Sequence, residues 1–130
     1  MFGRLFAFGK GKMNILLIEN EEFFAQNLCD YLRKSARATV QCVSHVHKAL
    51  DLLAKNKFDL VVSELRLPDT HSEDWLLEIG KINPKQKLII ISSYQMPKNL
   101  TLTDKLNIIG YYEKPFDAKI IANLIQQLTN

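Results

Sequence analysis

The stretch Asn14-Ile-Leu-Leu-Ile18 is a continuous apolar run, which is typical of a β-strand buried on both faces of a sheet. The segment that follows, Glu21 to Ala36, has apolar residues at helical spacing and acidic residues in its first turn, where the helix dipole favours negative charge. A fully buried strand followed by an amphipathic helix is the repeating unit of an α/β sheet. This first pair of elements therefore predicts parallel strands covered by helices.

The same alternation continues along the rest of the chain. Five strands, each followed by a helix, require right-handed crossovers with helices on both faces of the sheet. An eight-stranded barrel needs roughly 200 residues or more, so an open doubly wound sheet is expected, with its functional crevice beyond the carboxyl ends of the strands. The other predicted strands are 39–43, 58–63, 87–92 and 108–112. Two further helices are expected to begin after the caps Ser44 and Ser72, and a weak helix is expected over 97–107. The last predicted helix is 117–128, and its inward residues are expected to be Ile120, Ile121, Leu124, Ile125 and Leu128.

Charge separates residues 1–12 from the rest of the chain. They hold Arg4, Lys10 and Lys12 and no acid, whereas the other 14 basic and 14 acidic residues cancel. A neutral domain argues against a nucleic-acid-binding surface, and no apolar run reaches the roughly 18–20 residues of a membrane-spanning helix. We interpret residues 1–12 as a basic N-terminal extension and 13–130 as the domain. The glycines favour a leader over a short helix that touches a membrane or a partner.

The chain lacks the short motifs of common enzymes. It has no Gly-rich phosphate cradle, no G-x-S-x-G elbow and no Cys/His set with zinc spacing. The sequence therefore predicts neither an enzyme nor a small-molecule substrate. Cys29 and Cys42 lie in apolar segments and are expected to be buried and reduced, as in a cytoplasmic protein.

Polar side chains of complementary charge follow four of the predicted strands. Because parallel strands end at the same edge of a sheet, these residues are expected to converge in one acid-rich pocket with one lysine. That convergence favours a functional site, and a structural ion-pair network is the alternative. The residues are Glu19 and Asn20 after the first strand, Glu64 after the third, Ser92 at the end of the fourth, and Lys114 with Pro115 after the fifth.

The sequence resembles the receiver domain of bacterial response regulators over residues 13–129. The resemblance is carried by Ile15-Leu-Leu-Ile-Glu-Asn-Glu21, Phe58-Asp-Leu-Val-Val-Ser-Glu-Leu-Arg-Leu-Pro68, Ile89-Ile-Ile-Ser-Ser93 and Gly110-Tyr-Tyr-Glu-Lys-Pro-Phe116. It implies a flavodoxin-like doubly wound five-stranded parallel sheet of order 2-1-3-4-5 with five helices, and a cis peptide bond before Pro115. In the family, two acids after strand one and an aspartate ending strand three hold Mg²⁺. That aspartate receives a phosphoryl group from a histidine kinase, and a Ser/Thr and a Lys contact the phosphoryl oxygens.

Three departures from the family pattern lie at this pocket. Glu64 stands where the resemblance places the phosphoaccepting aspartate, Asn20 replaces the second metal-binding acid, and Arg66 adds a fixed positive charge. Mg²⁺ prefers anionic oxygens at short, near-octahedral distances, so its binding is expected to be weak or absent. No other cofactor is predicted.

Two carboxylates that lie close together at a strand edge need compensating charge. Lys114 and Arg66 are the nearest cations by this topology. We therefore expect them to neutralise Glu19 and Glu64 and to take over part of the electrostatic role of a metal ion.

These departures favour a pseudo-receiver, that is, a protein–protein interaction module of bacterial signal transduction that does not depend on phosphorylation. The alternative is a working Mg²⁺-dependent receiver that a histidine kinase phosphorylates at Glu64 or at a neighbouring residue. A glutamate carries its attacking oxygen about 1 Å away from the position of an aspartate oxygen, which is enough to impair in-line transfer severely.

The resemblance also implies where a protein partner binds. In the family, phosphorylation pulls the Ser/Thr inward, an aromatic residue on strand five turns into the space, and the surface around strand five changes shape. Ser92 and Tyr111 stand at those two positions. The predicted partner face combines segment 97–107, the fifth strand and the last helix. Its contact residues are expected to be Tyr111, Tyr112, Lys98 and Lys105.

Overall fold

All strand pairs in the sheet are parallel, and the strand order is β2-β1-β3-β4-β5, which confirms the predicted topology. The architecture comes from a computed structural model that describes residues 13–95 and 104–129. The predicted roles of residues 1–12 and of Lys98 therefore lie outside the described residues. The strands are β1 (Asn14–Ile18), β2 (Thr39–Val43), β3 (Leu60–Glu64), β4 (Lys87–Ser92) and β5 (Asn107–Glu113).

The described ranges contain four α-helices and one 3₁₀ turn, where five helices were expected. The predicted helix over 97–107 falls mainly outside these ranges. Its described end, residues 104–106, is not α-helical, and residue 107 already begins β5. No helix in the described ranges is long and apolar enough to cross a membrane. The helices are α1 (Glu22–Ser35), α2 (Val46–Lys55), α3 (Leu76–Ile82) and α4 (Lys119–Thr129), and the 3₁₀ turn is Glu73–Trp75.

Alternating side chains of the central strands feed two hydrophobic cores, one on each face of the sheet. In β1, Leu16 and Ile18 pack under α2 and α3, whereas Ile15 and Leu17 pack under α1 and α4. Each of these four side chains is fully buried. The central strands β1, β3 and β4 are therefore covered on both faces, and their polar residues lie at or next to the strand ends.

Two burial predictions were wrong, one on helix α4 and one on the edge strand β2. Ile120 is 43% exposed, because Ile121 takes the inward position and consecutive helical residues point about 100° apart. Cys42 is exposed because it lies on the edge strand β2, whereas Cys29 on α1 is buried as expected. Both cysteines are free.

Candidate functional site

The carboxyl ends of four neighbouring strands bring the predicted pocket residues together. Glu64 and Ser92 are the last residues of β3 and β4, and Glu19 directly follows β1. The backbone N–H of Glu19 donates to the Val43 carbonyl at 2.9 Å, and that of Lys114 donates to the Ser92 carbonyl at 2.7 Å. These main-chain bonds extend the ladder past the strands and fix the origins of the side chains.

Lys114 joins both pocket carboxylates. Its Nζ lies 2.5 Å from Glu19 Oε1 and 3.2 Å from Glu64 Oε1, and Glu21 Oε1 is 3.7 Å away. The side chains of Glu19, Glu64 and Lys114 are only 1%, 8% and 10% exposed. The centre of the pocket is therefore a buried three-membered ion cluster, as predicted for the lysine. The ammonium also lies 4.4 Å from the centre of the Phe24 ring.

The second oxygen of each carboxylate is bound to the backbone. Glu19 Oε2 accepts from the Glu21 N–H at 2.9 Å, and Glu64 Oε2 accepts from the Leu65 N–H at 2.6 Å. All four carboxylate oxygens therefore have a donor within the protein. Buried charges are stable only with such complete pairing.

The proton on Lys114 is held by its two partners. Burial by itself lowers the pKa of this ammonium, but the hydrogen bond and charge of Glu19, followed by the charge of Glu64, outweigh burial and raise the pKa above its ordinary value. The lysine is therefore a permanent cation at physiological pH.

Asn20 lies outside this cluster. It is exposed and lines a cleft of about 670 Å³ next to Glu19, His45 and Lys48. No group of three or more His, Cys, Asp or Glu side chains within residues 13–95 and 104–129 is arranged to hold a metal ion.

The prediction that Arg66 neutralises the pocket carboxylates was wrong. Arg66 Nε instead lies 3.6 Å from Glu73 Oε2, and the guanidinium lies 4.9 Å from the centre of the Tyr94 ring. The Arg66 side chain is 51% exposed. Its direction is set by the loop after β3, in which Leu65 is fully buried and Arg66 extends over the surface toward the loop after β4.

Ser92 and Tyr111, the two switch positions of the resemblance, are in contact. The Ser92 hydroxyl accepts from the Tyr94 N–H at 3.1 Å and lies close enough to the Tyr111 hydroxyl to influence its pKa. The Tyr111 hydroxyl donates to the Tyr94 carbonyl at 2.8 Å. Burial is the main cause that raises the pKa of Tyr111; the Ser92 hydroxyl lowers it, and the charges of Glu64, Glu113 and Glu73 raise it further.

Tyr111 and Tyr112 lie on opposite faces of β5. Tyr111 packs against the core under α2 and α3, and Tyr112 packs against the other core, with its ring centre 6.0 Å from that of Phe116. Lys105 is exposed just before β5. A partner surface that uses all three residues would therefore have to wrap around this edge strand. The Lys114–Pro115 peptide is cis, as the resemblance implied.

A model of the response regulator receiver domain matches residues 15–126 of the chain. The chain belongs to this family. Receiver domains are signalling modules of two-component systems and interact with other proteins such as kinases.

This receiver resembles both curated proteins and solved structures. It is 27% identical over 117 residues to the probable transcriptional regulator ycf29 of Porphyra purpurea, covering 88% of this chain and 56% of that protein. The receiver domain of HemR from Leptospira biflexa superposes with a TM-score of 0.79 at 25% identity, over 92% and 95% of the two chains. A CheY-like receiver from Methanospirillum hungatei JF-1 gives 0.81 at 18% identity, over 92% and 94%. The chain spans about half the length of the regulator that it matches.

Tyr94 and Glu73 are the site residues that the sequence did not indicate. Both lie in loops or at a turn, and neither has a periodic neighbour that fixes its direction. A possible signal was the position of Tyr94 two residues after Ser92, on the strand-end edge where the pocket was expected.

Proposed function

We propose that this receiver is a pseudo-receiver, a protein–protein interaction module of bacterial signal transduction that works without phosphorylation. The observation that carries the proposal is the ion cluster of Glu19, Glu64 and Lys114. Each of the four carboxylate oxygens accepts a hydrogen bond from the lysine or the backbone, so a reaction at Glu64 competes with buried, charge-assisted hydrogen bonds. A cytoplasmic location belongs to the proposal and is supported by the two free thiols.

The residues present do not fit the Mg²⁺ ion that receivers of the family use. The metal would need anionic oxygens at about 2.1 Å. Glu19 and Glu64 are already bound to Lys114 and to N–H groups, and Asn20 offers only a neutral amide oxygen from an exposed position. The proposal therefore involves no metal ion.

Intact-protein mass spectrometry after incubation with acetyl phosphate and Mg²⁺ tests the proposal. We expect no added phosphoryl group, while an ordinary receiver treated in parallel gains one. An adduct on the parent protein that disappears in Glu64→Gln would establish the alternative, a working receiver that is phosphorylated at Glu64. Glu64→Asp alone should remain unmodified, because Asn20 still leaves the metal site one charge short.

The partner surface in this proposal is the region around β5, with segment 97–107 and α4. Its support is the aromatic and charged side chains that interfaces favour: half-buried Tyr111 and Tyr112, and exposed Lys105. Lys98 belongs to the proposed surface by its sequence position alone.

Once a partner is available, Tyr111→Ala and Lys105→Glu should each weaken binding about tenfold or more, as losses at central aromatic and charged contacts do. The measurement is calorimetry on folded variants. Glu22→Lys on exposed α1 is the matched control. If only the α1 variant loses affinity, the partner face has been misplaced.

A further inference from the structure

A chain of contacts connects the loop after β3 with the loop after β4 and with β5. Arg66 starts this chain by bridging Glu73 and the Tyr94 ring. Tyr94 continues it through its backbone, because its N–H donates to Ser92 and its carbonyl accepts from the Tyr111 hydroxyl. Half-exposed Arg66 therefore contacts Tyr94, and the Tyr94 backbone is hydrogen-bonded to both switch side chains.

We propose that Arg66 holds Tyr94 in place and thereby keeps Tyr111 turned against Ser92, so that the switch is fixed in one arrangement without a phosphoryl group. The inference rests on the proposed function, because only a receiver that is not phosphorylated needs another source of that restraint. Arg66 is a positioning residue in this scheme: it acts on Tyr111 through Tyr94.

The 3₁₀ turn and the loop that flank Arg66 are restrained by hydrogen bonds. Glu73 begins the 3₁₀ turn, whose N-cap Ser72 accepts from the Asp74 N–H. At the end of the same turn, the buried Trp75 donates its indole N–H to the Leu65 carbonyl at 2.9 Å. The turn and the loop that carries Arg66 therefore form one unit, and a contact from this unit to Tyr94 restrains the β4 loop.

The Tyr94 side chain has few other restraints. It is 53% exposed, so the face of its ring beside the guanidinium is a main contact in an otherwise open position. The cation over the Tyr94 ring and the half-exposed ion pair with Glu73 each contribute modestly, and both are made by the Arg66 side chain. Their combined loss should therefore be measurable in the loop and leave the global fold intact.

The Tyr111 hydroxyl is suited to its part in this chain. Burial and the surrounding acidic charges raise its pKa, so the hydroxyl keeps the proton that it donates to the Tyr94 carbonyl. Two hydrogen bonds thus tie the Tyr94 backbone to the Ser92 and Tyr111 hydroxyls, so displacement of Tyr94 would disturb both switch side chains.

Nuclear magnetic resonance on the full chain tests the proposal through two signals. One is hydrogen exchange of the Tyr94 amide, and the other is the Overhauser contact between the Tyr111 ring and Ser92. In Arg66→Ala we expect the amide to exchange about three- to tenfold faster and the Overhauser contact to weaken. Arg66→Lys keeps a cation and should restore part of both signals.

The matched control is Lys81→Ala, which removes a cation and an exposed ion pair with Glu78 on α3. It should leave both signals unchanged. The proposal is overturned if Arg66→Ala behaves like the parent, or if Lys81→Ala changes the signals equally. Should Arg66→Ala fail to fold, as judged by Trp75 fluorescence, Glu73→Gln removes the other end of the bridge; unchanged signals in that variant would also overturn the proposal.

The phosphodonor experiment separates this inference from the proposed function. If the parent protein gains a phosphoryl group while Arg66→Ala still releases Tyr94, the pseudo-receiver proposal fails and the positioning role of Arg66 stands. If the parent gains none and Arg66→Ala has no effect on either signal, the positioning role fails and the pseudo-receiver proposal stands.

Discussion

Lys114 determines the character of the pocket at the scale of single residues. It neutralises one of two buried carboxylates directly and shares its charge with the other, which makes the site a closed ion cluster. A buried cluster of this kind is weak evidence of net stabilisation, because its attraction must first offset the desolvation of three charges. Removing one member is a different matter, since the desolvation cost of the others remains.

Lys114→Met should therefore lower the free energy of unfolding by about 3 to 5 kcal/mol, because Glu19 and Glu64 are left buried without their cation. Urea denaturation at pH 7, followed by Trp75 fluorescence, measures the loss.

Lys81→Met, which removes a 73% exposed lysine, should cost less than about 1 kcal/mol. Adding Glu19→Gln and Glu64→Gln to Lys114→Met should recover much of the stability, because the uncompensated charges disappear. No recovery in the triple variant would show that the lysine stabilises by packing instead of charge.

At the scale of elements, helix α2 shows how a distant loop can supply a cap. The predicted cap Ser44 lies against His45 instead, and the N-cap residue His45 makes no side-chain cap bond. Asp69, from the loop after β3, accepts from the Val46 N–H at 3.0 Å and from the His47 N–H at 3.3 Å. A carboxylate at this end of the helix is also favoured by the helix dipole.

Asp69→Asn should destabilise the protein by about 0.3 to 1 kcal/mol at pH 7, because the amide still offers one acceptor oxygen but loses the negative charge that the helix N-terminus favours. Burial raises the pKa of Asp69, but the hydrogen bonds from Val46 and His47 outweigh it and hold the pKa below its usual value. The stabilisation is therefore present above the unfolded-state pKa of about 3.9 and is lost as the pH falls through the lower folded-state value.

Thermal denaturation at pH 7 and pH 3 measures this effect. The difference between the parent and Asp69→Asn should shrink at the lower pH. Ser44→Ala is the matched control and should have little effect at either pH. A loss in Ser44→Ala as large as that in Asp69→Asn would contradict the assignment of the cap.

At the scale of the whole molecule, the ion pairs of the pocket connect residues from strands that are far apart in sequence. Glu19 follows β1, Glu64 ends β3, and Lys114 follows β5. The two hydrophobic cores hold these strands in one sheet, and the ion cluster joins three of them at one edge. Titration of that edge is therefore expected to change the stability of the whole domain.

Stability should fall as the pH rises above about 10. Despite burial, the pKa of Lys114 is raised by Glu19 and Glu64, so its contribution is complete below the unfolded-state pKa of about 10.4 and is lost as the pH rises through the folded-state value. The raised pKa of Tyr111, caused first by burial, acts with the same sign. Urea denaturation at pH 8, 10 and 11.5 should show the decline. The decline should be smaller in Lys114→Met, and an equal decline there would rule out Lys114 as its source.

The sequence by itself determined the strands, most of the helices, the open parallel sheet and the three charged residues at the centre of the pocket. Apolar runs such as Asn14–Ile18 and the helical spacing of α1 are local patterns, which can be recognised without knowledge of the rest of the chain. The pocket followed because parallel strands end together, so residues just after them must meet. The strand order and the cis bond before Pro115 followed from the family resemblance.

The tertiary structure alone decided which side chains are partners. It turned Arg66 toward Glu73 and Tyr94, gave α2 its cap from Asp69, and left Cys42 exposed on an edge strand. These outcomes depend on loop conformation and on neighbours tens of residues away. The spacing of apolar residues along the chain indicates whether a segment is a helix or a strand. The direction of a loop side chain depends instead on which contacts the packed elements around it offer.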